Sequence, residues 1–293
     1  MFSVVIPTFN EGERLKHTVE SILATATEHV EIVIIDDAST DGSAERLDAL
    51  SWRLHGVRVY RNAQRSGVAA SRANGMDLAT GDWLLCIDAH NRFPDNWQNA
   101  IEEAVDALDG GYGYLLGPEL HYGDYHITGL VHPEPDLYGH QLARQPGPMP
   151  YRSMTLPGAC HIIRRDWYVE TGGYDRNMLP PWGGEDFEYS LRCWMLGGEC
   201  RVIPDMEMTT HFATEWKYPM TFSITIGNVL RVAQIYLDDD RLAQYISTQD
   251  AHPEFPDALR RAIASGSQER RCELQARFAR TLDELFEIFG VDW

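Results

Sequence analysis

With 293 residues, 44% of them hydrophobic and 24% charged, the chain can bury one full core or a core with an appendage. Its formal net charge of −19 argues against general binding to nucleic acid or anionic membranes, without excluding a local basic site. Five cysteines with no C-x-x-C spacing fit a reduced, cytoplasmic protein, with Cys86 and Cys193 as small core residues.

Phe2 to Ile6 is a β-rich run stopped by Pro7, so it reads as a core strand and not a leader. No apolar run approaches the ~20 residues of a membrane helix, so no stable anchor is expected. Thr8-Phe9-Asn10-Glu11-Gly12 is a polar turn into a helix whose face is Leu15, Val19, Ile22, Leu23 and Ala26. Glu31 to Asp37 is a second buried strand ending in two carboxylates. Ala38 to Ser43 supplies cap residues for a helix with Leu47 and Leu50 inward, and Val57 to Tyr60 is a third strand.

Gly67 to Ala79 is a small-residue helix in which Gly75 predicts close backbone packing. The apolar strand Trp83 to Ile87 follows and ends in Asp88-Ala89-His90. Strands and helices alternating at these spacings predict a doubly wound α/β unit with a mostly parallel sheet. Strand periodicity puts Asp88 and His90 on one side, at the sheet edge where ligands bind in such folds.

Asn96 to Leu108 reads as an amphipathic helix and Gly110 to Gly117 as a strand. Pro118 to Tyr151, crowded with His, Tyr, Gly and Pro, reads as a long loop facing substrate. Met154 to Arg164 is a strand, and Asp166 starts a short helix closed by Gly172-Gly173. Pro180 to Asp186 opens a helix with Phe187, Leu191, Trp194 and Met195 inward. Cys200 to Ile203 is a strand, and His211 follows in a polar turn. Beyond Pro219 the chain is helical, with Ile226, Val229, Leu230, Ala233 and Leu237 packed, and Glu269 to Phe289 reads as one final helix.

Two strands ending in carboxylates, one as Asp-x-His, suit a divalent cation with a phosphate ligand. Carboxylate plus imidazole favours Mn²⁺ over a pure oxygen cage. Read on its own, however, so common a tripeptide favours the plainer reading, with Asp88 capping a turn and His90 a surface loop residue.

Several motifs in order carry more weight. Val5-Ile6-Pro7-Thr8-Phe9-Asn10-Glu11, Ile34-Ile35-Asp36-Asp37-Ala38-Ser39, Asp88-Ala89-His90 and Trp182-Gly183-Gly184-Glu185-Asp186 resemble a GT-A-fold nucleotide-sugar glycosyltransferase of the broad family-two class. The likeness is closest to the polypeptide N-acetylgalactosaminyltransferase catalytic domain. It takes in Arg65-Ser66-Gly67, Ser71-Arg72, the Gly158 region, Gly172-Gly173-Tyr174-Asp175, Leu191-Arg192-Cys193-Trp194 and Asn228 to Ala233, and so spans roughly residues 2 to 240. It implies a catalytic domain over residues 1–218, with a nucleotide-binding half at 1–90 and an acceptor and metal half at 91–218, and a helical C-terminal extension at 219–293.

The resemblance also implies roles. Pro7, Thr8, Phe9, Asn10 and Glu11 line the nucleoside site, and Asp36 and Asp37 contact uracil or ribose. Arg65 and Arg72 face the diphosphate or sugar, as guanidinium forks can. Asp88, His90 and His211 hold Mn²⁺ or Mg²⁺, with Ala89 at the donor. Trp182, Gly183 and Gly184 shape the sugar pocket, and Glu185 holds sugar or acceptor hydroxyls. Asp186 departs from the Asn of the polypeptide enzymes, which retain configuration; inverting relatives place a base there. The expectation is therefore an inverting UDP-sugar transferase. Alternatives are a retaining transferase of the N-acetylgalactosaminyltransferase type, a transferase acting on hydroxylated nucleobases in DNA, and a non-catalytic sugar-nucleotide-binding protein. A nucleotidyltransferase is disfavoured, because the loop after the first strand lacks a phosphate-gripping Gly-rich, Lys/Arg-bearing character. The acceptor (saccharide, protein, small molecule or modified nucleobase) is left open. The Arg common in relatives after the third ligand is absent from His211 to Thr214, with Lys217 as a substitute.

Overall fold

The computed structural model describes residues 1–48, 50–122, 125–131, 140–142, 150–211, 218, 221–249 and 251–291. In chain order the strands are β1 Phe2–Thr8, β2 Val30–Asp36, β3 Val57–Arg61, β4 Trp83–Ile87, β5 Asn91–Arg92, β6 Tyr114–Tyr122, β7 Tyr125–Val131, β8 His140–Leu142, β9 Tyr151–Arg152, β10 Cys160–Arg164 and β11 Glu199–Thr210. The α-helices are α1 Glu13–Thr25, α2 Leu50–Arg53, α3 Val68–Leu78, α4 Trp97–Ala107, α5 Arg165–Thr171, α6 Glu185–Met195, α7 Phe222–Tyr236, α8 Asp239–Gln249, α9 Phe255–Ala264, α10 Ser267–Gln275 and α11 Leu282–Phe289.

The main sheet runs β3-β2-β1-β4-β10-β6-β11-β5. β1, β2, β3 and β4 are mutually parallel, β10 is antiparallel to both β4 and β6, and β11 returns parallel to β6. This is the mostly parallel α/β sheet that the alternating pattern predicts. Its side chains divide by period two. Val4, Ile6, Ile32, Ile34, Leu85 and Ile87 pack on the face covered by α1 and α4. Val5, Val33, Ile35, Leu84 and Cys86 pack on the other, with α3, α6, α7 and the later helices. A Cβ at Gly75 would run into Val5 and Ile35, so the glycine lets α3 lie directly on the sheet. Cys86, Cys160, Cys193 and Cys200 are buried free thiols. Among the described residues no helix is long and apolar enough to cross a membrane.

Several stretches differ from expectation, among them β11, which runs on from Ile203 to Thr210 and so directly to His211. Among its described residues the segment from Pro118 to Tyr151 is not one irregular loop; residues 123–124, 132–139 and 143–149 lie outside them. β6 runs through it to Tyr122, and β7 turns back with Leu120 opposite Ile127 and Tyr122 opposite Tyr125. β10 starts at Cys160, not Met154. The expected final helix is two, because Thr281 starts α11 with a full capping box to Glu284.

The C-terminal helices share the core of the sheet's second face, as Val229, Leu230, Ala258, Leu274 and Leu285 are all buried within it. Two buried ion pairs tie them in. Arg192 of α6 pairs with Glu188, whose Oε1 also accepts from the Tyr236 hydroxyl of α7 at 2.8 Å. Arg231 of α7 donates to Asp175 Oδ2 at 2.9 Å and to Ser265 O at 2.7 Å. Each charge is compensated in place, as a buried ion must be.

Candidate active site

Parallel β1, β2 and β4 all end at one sheet edge, so the turns after Thr8, Asp36 and Ile87 meet there. The Asp88-Ala89-His90 turn is pinned from below. Asp88 N donates to Ala159 O at 3.1 Å, and Asn91 Nδ2 donates to the same oxygen at 2.6 Å. The Thr18 hydroxyl of α1 lies 3.0 Å from both Ala89 O and Asn91 O. His90 Nε2 lies 3.9 Å from Asp88 Oδ2, and its Nδ1 lies 3.6 Å from Glu11 Oε2. Burial opposes a charge on His90, but the Glu11 hydrogen bond and the Asp88 and Glu11 charges outweigh it and hold its pKa above the ordinary value.

β11 brings the third expected ligand alongside. Thr210 pairs with Asn91, and His211 N donates to His90 O at 3.1 Å, while the His211 side chain is exposed. Among the described residues no three His, Cys, Asp or Glu side chains converge as a complete metal-ligand set. The donor chemistry nevertheless fits a borderline divalent cation: a carboxylate and an imidazole share one strand end, and a second imidazole stands one backbone hydrogen bond away.

Behind Asp88 stands Arg72 of α3, 1% exposed. It donates to Asp88 Oδ1 at 2.8 Å and to Gly158 O at 2.6 Å, and its Nε lies 3.6 Å from Glu185 Oε1. Glu185 and Asp186 open α6 after two glycines with positive φ. Asp186 Oδ2 accepts from Gly158 N at 3.0 Å, and its Oδ1 accepts from Phe187 N at 2.9 Å. Gly158 is thus gripped at both backbone groups, by Arg72 and by Asp186. A Cβ there would stand 3.1 Å from Arg72 Nη2 and 3.2 Å from Asp186 Cβ.

Burial, and then the neighbouring Asp186 charge, push the Glu185 carboxyl up to about 7, against the pull of Arg72. A carboxyl whose folded pKa of about 7 lies above its ordinary 4.5 contributes stability that is complete below pH ~4.5 and lost as pH rises through about 7. Glu185→Gln, a neutral isostere, is therefore expected to flatten the fall of Tm between these values in calorimetry. An unchanged slope would assign that fall to other groups.

Beyond the turn after β1, the Arg65 guanidinium carbon lies 3.9 Å from the centre of the Phe9 ring and 4.7 Å from that of Tyr218. Burial, followed by the charges of Asp88 and Glu185, pushes the Tyr218 hydroxyl up to about 12. Asn10 takes a positive φ of 54°; its N–H donates to Ser39 Oγ at 3.0 Å, and its Oδ1 accepts from Thr40 N at 2.8 Å. The turns after β1 and β2 are therefore laced together.

Against this geometry the comparisons are consistent. Residues 3–171 match the family described as "Glycosyl transferase family 2". The chain belongs to glycosyl transferase family 2. Residues 141–215 also match "N-terminal domain of galactosyltransferase". The chain is 30% identical over 287 residues to N-acetylgalactosaminyltransferase 7 of Drosophila melanogaster, covering 87% of this chain and 48% of that protein. It is 27% identical over 298 residues to human polypeptide N-acetylgalactosaminyltransferase 14, covering 93% of this chain and 50% of that protein. The chain thus spans about half the length of the curated relatives it matches. The crystal structure of GalNAc-T7 with UDP, GalNAc and Mn²⁺ superposes with a TM-score of 0.79 at 25% identity, over 98% of this chain and 56% of that one. The resemblance to the polypeptide N-acetylgalactosaminyltransferase group and its GT-A fold is borne out. S. aureus TarS in complex with UDP-GlcNAc, at 14% identity and a TM-score of 0.57, shares the fold.

In this member of glycosyl transferase family 2, several residues stand differently from the roles the resemblance implies. Arg72 does not face an open cleft, because Asp88, Gly158 and Glu185 take its donors inward. Asp36 is 1% exposed, held by Arg61 at 2.6 Å and by Ser39 N at 2.9 Å. Asp37 accepts from Ser66 N, Gly67 N and Asn62 Nδ2 at 2.8 to 2.9 Å, so in this state it organises the Arg65-Ser66-Gly67 turn. Pro7 lies within β1 opposite Ile35, Thr8 is buried at the strand's end, and Ala89 is buried in the turn after β4. Trp182, Gly183 and Gly184 form the approach to α6, where Gly183 N donates to Glu185 Oε2 at 3.3 Å. Lys217 lies outside the described residues. Sequence reasoning missed Tyr218; an aromatic directly before Pro219 in a segment without periodicity was its only signal.

Proposed function

We propose that the chain transfers a sugar from a UDP-sugar to an acceptor hydroxyl with inversion, Asp186 acting as base. The observation that carries this reading is the placement of Asp186, at the first turn of α6 and hydrogen-bonded to Gly158, which Arg72 links to Asp88. One carboxylate thus lies across a buried arginine from the diphosphate end of the site.

In the proposed step Asp186 takes the proton of the acceptor hydroxyl, and that oxygen bonds the anomeric carbon from the face opposite the diphosphate. The carbon–oxygen bond to the β-phosphate breaks, and UDP leaves with its electron pair. Asp88, His90 and His211 would hold a divalent cation, Mn²⁺ or Mg²⁺, which when bound neutralises charge on the leaving diphosphate. Phe9 and Tyr218 offer ring faces to the base, and Arg65, already stacked on both, offers a guanidinium to the phosphates. Glu185, fully buried, holds a sugar hydroxyl and in its protonated form can donate to it.

A second reading has specific support. Both Asp186 oxygens accept backbone N–H groups, which also suits a residue that merely shapes the Gly158 turn in a retaining transfer like that of the polypeptide enzymes. The anomeric configuration of the product, read by proton NMR, separates the two.

The test of the donor reading is release of UDP from a panel of UDP-sugars by purified protein with Mn²⁺ or Mg²⁺. Neither binding nor release across the panel overturns it. Asp88→Ala is expected to remove metal-dependent donor binding, lowering affinity at least 100-fold by calorimetric titration, and a chelator should reproduce that loss on the unmodified protein. Binding that ignores both changes removes Asp88 from the metal site.

A further inference from the structure

We infer that Asn228, on α7 and outside the GT-A sheet, is a positioning residue that sets the geometry of the sugar-pocket arm Leu179–Asp186. The inference rests on the donor reading above only for its kinetic consequence, since the clamp itself is visible in the fold.

The amide of Asn228 grips one residue of that arm at both ends. Its Oδ1 accepts from Leu179 N at 2.5 Å and its Nδ2 donates to Leu179 O at 2.9 Å, as a neighbouring β-strand would. The same Nδ2 lies 3.3 Å from Trp182 O, so two of the arm's carbonyls converge on one amide nitrogen. Asn228 is fully buried, and leaving these backbone groups without partners would cost the arm its fixed path.

The neighbourhood is built for this contact. Gly227 leaves space for Leu179: a Cβ there would stand 2.7 Å from Leu179 Cδ1. On the arm, a Cβ at Gly184 would stand 3.7 Å from Asn228 Cβ, and one at Gly183 would stand 3.9 Å from Asn228 Nδ2. Both glycines have positive φ, 119° at Gly183 and 77° at Gly184, so the turn that aims Glu185 and Asp186 takes a path that other residues rarely adopt. The far side of the arm rests on the start of α3, where Val68 N donates to Pro181 O at 3.0 Å and a Cβ at Gly67 would meet Pro180 Cα at 2.9 Å. The arm is held between α3 and α7, and Asn228 supplies the α7 side.

The contacts divide the site. Asn228 touches the arm, whereas the Asp88-Ala89-His90 turn is held by Thr18 and by Arg72, which also reaches Glu185, and the turns after β1 and β2 are held to each other. Its loss should disturb the sugar end and leave the nucleotide end intact. The experiment compares Asn228→Ala with Gln234→Ala, a variant of the same helix that loses only a hydrogen bond to Ser267. Hydrogen exchange of a peptide spanning residues 178–186 is expected to quicken at least tenfold in Asn228→Ala and to stay unchanged in Gln234→Ala. UDP affinity should hold within twofold while kcat/KM for the UDP-sugar falls roughly 10- to 100-fold, the range seen for outer-shell supports. Unchanged exchange in Asn228→Ala overturns the clamp even if no UDP-sugar proves to be a substrate. Quickened exchange in a protein that binds no UDP-sugar keeps the clamp and removes the donor reading. UDP and UDP-sugar weakening together would overturn the division between the two ends.

Discussion

Asp186→Asn is expected to lower transfer by roughly 10²- to 10⁴-fold, the contribution of a positioned general base, while donor affinity and fold are retained. The asparagine carbonyl can still accept from Gly158 N or Phe187 N, which now meet two carboxylate oxygens. What it cannot do is take a proton. The stability cost should be small: one partly buried backbone N–H loses a charged partner, and a helix N-terminus loses a favourable negative charge worth a few tenths to ~1 kcal/mol. The change also reports on Glu185. Because the Asp186 charge helps to push Glu185 up, its removal should shift the Tm–pH profile of the protein toward lower pH. Normal transfer by Asp186→Asn removes the base assignment and leaves the retaining reading, in which the side chain only holds the Gly158 turn. Lost transfer with an unshifted profile would instead separate Asp186 from Glu185.

The alternating strand and helix pattern was legible up to Ile87 because β1, β2 and β4 are covered on both faces and read as nearly continuous apolar runs. The Asp88-Ala89-His90 turn stands out because two residues able to ligate a metal sit two positions apart at a strand end. Beyond it the sequence is less explicit. β6 to β8 carry His, Tyr and Gly where apolar alternation would be expected, so pairing set by neighbouring strands looked like a loop. The role of Arg72 was hidden for a different reason. Its partners Asp88, Gly158 and Glu185 lie 16 or more residues away, and an arginine in a small-residue helix reads the same whether it faces a phosphate or a buried carboxylate. Asn228 was visible as part of a motif but not as a clamp, since its partner Leu179 lies 49 residues earlier.

Arg72→Met is expected to destabilise the protein by about 3–5 kcal/mol, the cost of leaving a buried charge without its partner. For a chain of this size that corresponds to a fall in Tm of roughly 6–20 °C. The size follows from what Arg72 holds: Asp88 Oδ1, Gly158 O and, at 3.6 Å, the fully buried Glu185. Methionine fills the space of the stem but leaves two carboxylates facing each other and one carbonyl unpaired. An arginine that reached out to the diphosphate would behave in the opposite way, weakening UDP with little change in Tm. Arg72→Lys keeps the charge and loses the planar fork, so it should hold Asp88 or Gly158 but not both, with an intermediate Tm. The decisive measurement is the double variant Arg72→Met/Glu185→Gln. If Arg72 stabilises the fold chiefly by compensating Glu185, neutralising that carboxyl should recover a large part of the loss, and the two changes will be strongly non-additive. Strict additivity would move the stabilisation to Asp88 and Gly158.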